Sequence, residues 1–588
     1  MLTDSRVPRP TKPLLRLSPL SGRALGLLAG VCLVVFGCSG TPNTGDTVGR
    51  DLVLVTIDTV RADHLPLPPG APAVTPTFTR LAEEGTVFTA ATTPLPRTTP
   101  ALVSLLTGLQ PHRHGSREVL DRPERDVVDG LWLAQRLAAD GYRTIGVSAS
   151  AAADSAMGLD AGFESFVDAR ELPATTAEHV TDAALAHLPD EATPLFLWVH
   201  YLDPHFPYEP PAQFVPDGLD PTPCTSLLGH LEETVGVPAA GGWLVADRGG
   251  DSSAALSVCR QLYAAEIAFV DEQVRRLLDG LGTRRAARGE PLVVITSDHG
   301  EHLGEAGLYY EHGPSVHDAA VRVPLIVHGP GIAARVDDAP VRLEDLAPTL
   351  LELLSAEPVT DGLVADGLAT DGLVADGLAT NSLATNRLDG VSVAERLRPR
   401  SGVLRRLRAA PSNASGTDEP AALAESGSAL FPEVVHFLHS GRADDLSCLN
   451  VRQYSLCARP DETPRLFDHR ADPHFTHDLA KEEPAVYRRM LAARALWPPE
   501  QARERMLRTA RWKLVDQPLA QGGHRRRLFD LEATAADGAA VDVAREHPDV
   551  VERLGARLDA WAAQLPAVGQ VERSDEELEA LRSLGYIG

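Results

Sequence analysis

Five stretches of this chain run apolar without alternation and then stop abruptly at polar or ionisable residues. They are DLVLVTID ending at Asp58, YRTIGVSAS at Ser148, PLFLWVHYLDPH around His200 to His205, PLVVITSDHG at Asp298 and His299, and VPLIVHG at His328. A strand with one wet face alternates apolar and polar residues, whereas a strand covered by helices on both faces reads as an unbroken Val/Ile/Leu run. The runs therefore predict a buried parallel sheet, and segments such as GLWLAQRLAADG and AAEIAFVDEQVRRLLDGLG supply helices between them. The fold class is α/β: a large mixed, mostly parallel sheet flanked by helices. In open parallel sheets ligands sit beyond the carboxyl ends of the strands. The polar residues that end the five runs are thus expected to meet in one site.

Length and charge bound what that site serves. The 588 residues suffice for one large core plus a smaller domain, and HFLHSG, RMLRTARWKLVDQ and RRRLFDLEA predict strands of a C-terminal α+β domain over 430–588. Asp and Glu outnumber Lys and Arg by 81 to 55, a formal charge of -26, which repels nucleic acid and anionic lipid surfaces. No nucleic-acid partner is expected. A buried metal still attracts one small anion locally.

The first residues read as an export signal. Arg6, Arg9, Lys12, Arg16 and Arg23 precede an apolar run from Ala24 to Phe36 that is too short for a permanent span. Its end, VFGCS, resembles a bacterial lipoprotein signal over 1–38, in which Cys38 is acylated and becomes the new N-terminus; an ordinary signal or an anchor helix is the alternative. Several acyl chains anchor firmly where one does not. The expectation is an exported protein, periplasmic or at the cell surface, held to a membrane, with 39–50 as a tether. Four cysteines remain, and proximity pairs Cys224 with Cys259 and Cys448 with Cys457. Residues 51–400 form the expected catalytic domain. Within it, 359–387 repeat in five-residue steps (DGLVA, DGLAT), a period that suits neither helix nor strand and reads as an expanded surface loop, and 401–429 form a linker.

The stretch RTTPALVSLLTG carries a candidate nucleophile. Pro100 suits the first turn of a helix and Gly108 suits its stop. Thr98 and Thr99 then lie at the helix N-terminus, where free N–H groups and the dipole stabilise an anion. Thr99 is the better N-cap, which leaves Thr98 free. Asp58, Asp298 and His299 offer hard carboxylates beside an imidazole, a set that suits a divalent cation. Singly, each is more simply a capping residue. A metal that also touched Thr98 would lower its hydroxyl pKa and prepare an alkoxide.

LVTIDTVRADHL, RTTPALVSLLTGLQPHRHG, LWVHYLDPHFPYEPP, YAAEIAFVDEQV, TSDHGEHLGEAGLYYEHG, VRVPLIVHGPG and EDLAPTLLEL together resemble the ordered motifs of the sulfatase family, in the alkaline phosphatase superfamily. The resemblance covers roughly Asp51 to Leu397. It implies that Asp58, Asp298, His299 and Thr98 bind a metal, and that His205 and His312 contact the substrate oxyanion or leaving group. His114 and His200 are weaker candidates, each readable as a hydrogen-bonded structural histidine.

The departures bear on the chemistry. The family carries CxPSR or SxPSR and converts its first residue to formylglycine, whereas the same register here reads Thr98-Thr99-Pro100-Ala101-Leu102. Threonine cannot give that aldehyde, and Leu102 replaces the arginine. Thr59 stands where a second aspartate is usual, a lysine-bearing GKWHLG segment is missing after GYRT, and His312 replaces a lysine. A threonine nucleophile is similar to that of nucleotide pyrophosphatase/phosphodiesterases and of phosphoglycerol or phosphoethanolamine transferases. The former use two zinc ions, and no DxxxH follows the strand bearing His200, so one metal (Ca, Mn, Zn or Mg) is expected rather than two. With His312 protonated or metal-bound, an oxyanion would be clamped between cation, helix N-terminus and imidazolium. The expected activity is metal-dependent hydrolysis or transfer of a small anionic ester, free or carried on a glycan or lipid. Phosphoester chemistry leads, sulfate ester hydrolysis is the alternative, and an inactive surface binding protein is the third reading.

Overall fold

The computed structural model describes residues 49–65, 75–189, 193–225, 251–305, 308–310, 312–313, 315–354, 388–399, 477–488, 504–518, 524–533 and 541–564, residue 463, and short strands at 243–244, 422–425, 436–438, 447–451, 454–458 and 465–468. The signal with Cys38, the 359–387 repeat and most of the 401–429 linker lie outside the described residues.

Among the described residues eight strands form the main sheet: β1 (Leu52–Ile57), β2 (Thr86–Phe88), β3 (Arg143–Ser148), β4 (Ser165–Val167), β5 (Leu195–Tyr201), β6 (Leu292–Ser297), β7 (Leu325–His328) and β8 (Arg335–Asp337). Their spatial order is β8-β2-β7-β6-β1-β5-β3-β4. Only β7 opposes the others: β1 pairs parallel with β5 and β6, β3 pairs parallel with β4 and β5, and β8 pairs parallel with β2, while β7 lies antiparallel to β6 and β2.

The apolar runs arise from helices on both faces. Val53, Val55 and Ile57 of β1, with Leu197 and Val199 of β5, pack under α1 (Pro76–Glu84), α4 (Ala177–His187) and the long α5 (Asp251–Arg284) through Phe78, Val180, Tyr263 and Ile267. Leu52 and Leu54, with Phe196 and Trp198, face the other way. They meet α2 (Thr98–Thr107), α3 (Leu133–Ala139) and α6 (Leu346–Leu354) through Leu102, Leu106, Leu137 and Leu350. Each β1 side chain is fully buried on one face or the other, which is why the run does not alternate.

Cys224 and Cys259 are disulfide-linked with their Cα atoms 5.0 Å apart, tying α5 to the segment that leads into it. Cys448 and Cys457 are register partners on adjacent antiparallel strands. A second antiparallel sheet is made of Ala422–Glu425, Arg505–Arg508, Trp512–Pro518 and His524–Asp530. Helix α7 (Pro548–Ala562) covers it through Val550, Leu554 and Leu558. Its inner side is fastened to the main body by ion pairs: Asp318 accepts from Lys513 Nζ at 2.5 Å and from Arg508 Nη1 at 2.9 Å, and Val316 O accepts from Lys513 at 2.8 Å.

Candidate active site

Register brings the acids together. Ile57 on β1 is paired with both Tyr201 on β5 and Ser297 on β6, so Asp58 and Asp298, the next residues on two adjacent parallel strands, leave the sheet side by side. Asp58 is 1% exposed and Asp298 and His200 are 0% exposed. His200 sits one residue before the end of β5, opposite Thr56 and Ser148. The turn after Asp58 is held by three bonds: Thr59 N donates to Asp298 Oδ1 at 3.2 Å, Tyr263 OH donates to Thr59 O at 2.7 Å, and Arg61 N donates to Tyr263 OH at 3.0 Å.

The residues present fit a cation. Asp58, His200 and Asp298 each offer a ligand atom, all within 4.8 Å of one another. Asp58 Oδ1, His200 Nε2 and Asp298 Oδ2 are buried and have no hydrogen-bond partner among the described residues. Buried polar groups left without partners are costly and uncommon, and two carboxylates here would repel each other unless something positive lay between them. Burial accordingly raises the Asp298 carboxyl above its ordinary range.

The sequence places His299 among the ligands and His200 below it. The structure brings both close. His200 Nδ1 bonds Thr56 Oγ1 at 2.9 Å, which also accepts from Trp198 Nε1 at 3.0 Å, and His200 Nε2 lies 3.7 Å from Asp58 Oδ2. His200 is therefore held in the fold at one nitrogen while the other lies beside Asp58. His299 Nε2 lies 3.3 Å from Asp298 Oδ2 and 3.9 Å from Asp58 Oδ1. Its Nδ1 is 3.1 Å from Gly300 O. A carbonyl can only accept, so Nδ1 carries the proton and Nε2 presents its lone pair. That lone pair meets Thr98 Oγ1 at 3.2 Å. Burial pushes the His299 pKa down to about 4 against the pull of Asp58, which keeps the ring neutral and able to accept.

Thr98 is thus in the site and 1% exposed. It is the first residue of α2, not a residue ahead of it: Arg97 is the N-cap and no side chain caps the helix. The expected N-cap role of Thr99 is corrected. Thr99 Oγ1 donates to Ala152 O at 2.7 Å and accepts from Leu120 N at 3.1 Å, which locks α2 to neighbouring segments. Gly108 ends the helix with φ 75°, its N–H on Ser104 O.

Two more predicted residues lie against this centre. The His312 ring stacks on His299 with centroids 4.3 Å apart, and His205 meets His312 edge-on at 5.5 Å. His205 Nδ1 donates to Phe206 O at 2.8 Å. Burial alone would lower the His205 pKa, but the carboxylates of Asp58 and Glu301 outweigh it and the value is raised. His312 goes the other way. Burial, then its neighbours His299, His205 and Arg97, hold it well below its ordinary value, a direction that favours a neutral ring over the protonated one among the expected states. Glu301, which the sequence does not single out, lies 3.6 Å from His312 Nδ1 and accepts from Tyr208 OH.

Two of the histidines raised by the sequence stand apart from the site. His328 is expected with the other strand ends, yet β7 is antiparallel and His328 pairs with Val293 near the start of β6, beside Glu84 and Glu290. His114 bonds Ser104 Oγ through Nε2 at 2.9 Å and accepts from Ser116 N at Nδ1, so both nitrogens are used structurally.

The profile of the family described as Sulfatase matches residues 50–356. Over 109 residues the chain is 39% identical to a choline-sulfatase of Rhizobium meliloti, 18% of this chain and 21% of that protein. It is 24% identical over 385 residues to a sulfatase of Formosa agariphila, 56% of this chain and 74% of the relative. The matched part therefore spans about a fifth of the first relative and three quarters of the second. Among solved structures, the fold is similar to a phosphonate monoester hydrolase from Silicibacter pomeroyi, with TM-score 0.53, 18% identity, and coverage of 88% of this chain and 96% of that one.

Proposed function

The chain belongs to the sulfatase family, and from that premise we propose a metal-dependent hydrolase or transferase of small anionic esters that attacks phosphorus through Thr98. One observation carries the reading: a threonine hydroxyl at a helix N-terminus, 3.2 Å from a neutral imidazole and beside a buried pair of carboxylates. Asp58, Asp298 and His200 would hold the cation, with Thr98 in reach and the His299 Nε2 lone pair left to accept from Thr98. A divalent cation there supplies neutralisation of the ester oxygens and a lower hydroxyl pKa.

The protein's own groups do the rest. Thr98 Oγ bonds to phosphorus as the bond to the leaving alcohol breaks, and its proton passes to His299 Nε2. His205, the site histidine whose pKa is raised, gives its proton to the leaving oxygen. Water or an acceptor alcohol then attacks the phosphothreonine, returns a proton to His205, and Thr98 recovers its own from His299. His312, neutral and stacked on His299, fixes that ring in plane. Sulfate ester hydrolysis is the second reading, supported by the names of the relatives. Against it stands the nucleophile: a sulfated threonine lacks the elimination route of an aldehyde hydrate. The substrate would be free or borne on a glycan or lipid, and an acylated Cys38 would hold the exported enzyme at a membrane, which mass spectrometry of the mature N-terminus tests.

A panel of aryl phosphate, phosphodiester, phosphonate and sulfate esters, run with Mn, Zn, Mg or Ca on the mature protein and on Thr98→Ala, tests the function. Phosphoester turnover lost in Thr98→Ala supports it. Turnover of sulfate alone reverses the order of the two readings, and equal turnover by both proteins removes Thr98 as nucleophile.

A further inference from the structure

The helix that carries Thr98 has lost a cation. The family's motif puts an arginine four residues after its first position, and here that position is Leu102, fully buried in the hydrocarbon between α2 and the sheet. A leucine side chain gives an oxyanion nothing. The residue just before Thr98, however, is an arginine.

Resting on the proposed phosphoester chemistry, we propose that Arg97 binds the substrate's tetrahedral oxyanion in place of the missing arginine, and that position 313 is glycine to make room for it. Arg97 is the N-cap of α2, and its side chain is 11% exposed. Its guanidinium lies over Gly313: a Cβ built there would stand 1.8 Å from Cζ, 2.0 Å from Nε and 2.2 Å from Nη2. Gly313 is not among the residues with positive φ, so it is the space and not the backbone conformation that calls for glycine. Residue 313 directly follows His312, whose ring stacks on His299, which in turn meets Thr98. The guanidinium therefore lies against the backbone that directly follows His312. Glu118 Oε2, 3.9 Å from Arg97 Nε, steadies the side chain. A planar guanidinium in a desolvated site offers paired N–H donors to two oxygens of a phosphate or sulfate, and the first free N–H groups of α2 add to the same anion site.

Inorganic phosphate titrated calorimetrically into the metal-loaded and metal-free protein tests this without turnover. Arg97→Ala should weaken phosphate binding roughly ten- to hundredfold, the range for loss of a charged hydrogen bond, while leaving Mn uptake unchanged. Added guanidinium should restore part of the loss, and Gly313→Ala should weaken phosphate with the arginine still present. Arg97→Lys keeps the charge and the fold, and should bind phosphate less tightly than wild type because it lacks the paired donors. A wild-type protein that binds no phosphate overturns the proposal. So does an Arg97→Ala variant with wild-type affinity and no response to guanidinium. Full turnover by Thr98→Ala would sink the nucleophile alone and leave the phosphate titration to decide on Arg97.

Discussion

Thr59 has φ 58°, a left-handed backbone that a β-branched residue adopts only at a cost of about 1–3 kcal/mol. That turn takes the chain off the strand direction directly after Asp58. Residues just past an apolar run are legible in the sequence: Asp58, Asp298 and His299 stand beyond their strands, and Thr98 stands at a helix start marked by Pro100. His200 is not legible in the same way, because it lies inside LFLWVHY, where a histidine looks like any satisfied core residue until the register sets it opposite Thr56. Glu301 is equally hidden, since it reads as an ordinary acid next to the DHG motif. Because His200 Nε2 is buried, lacks a hydrogen-bond partner among the described residues and faces Asp58, His200→Ala should lower divalent-metal affinity at least tenfold, the lower end of what even outer-shell changes cost (~10- to 100-fold). Equilibrium dialysis against Mn or Zn measures it, and unchanged affinity would remove His200 from the ligand set.

Elements set where these residues stand. The buried parallel strands and the helices between them can be read from the chain because two-sided burial leaves a compositional mark. The direction of β7 cannot: a four-residue apolar strand has the same composition in either orientation, so composition puts His328 at the wrong end of the sheet. The start of α2 is also hard to place, since Arg97 caps it with backbone alone. Helix α5 matters beyond packing, because Tyr263 bridges Thr59 O and Arg61 N. Tyr263→Phe keeps the ring and removes the bridge, leaving a buried carbonyl and N–H each short of a partner, at a cost of about 1–3 kcal/mol. The expected result is a lower chemical-denaturation midpoint together with a fall in kcat larger than any change in KM. Loss of stability with kcat intact would mean the turn does not position Asp58.

For the whole molecule, pH acts on stability through histidines that folding keeps neutral. Burial pushes His114 and His302 down to about 3 from an ordinary 6.5. The unfolded chain protonates both below 6.5 and the folded chain does not, so the unfolded state binds more protons between about 3 and 6.5 and stability falls as pH falls through that window. Each should contribute on the order of 1 kcal/mol per pH unit. Urea unfolding with chelator present, compared at about pH 7 and about pH 5, should show the loss, and His114→Gln should flatten the slope; a slope unchanged by that substitution would assign the loss to other groups. Net charge and composition disfavour nucleic acid but say nothing of the site, where the proposed chemistry rests on one oxygen. The most direct measurement is therefore acid-quenched peptide mass spectrometry of the metal-loaded enzyme during turnover of the phosphoester it hydrolyses fastest. The account predicts a phosphoryl group on Thr98 and none in the Thr98→Ala protein; steady turnover with Thr98 never modified, or with the adduct on another residue, would contradict it.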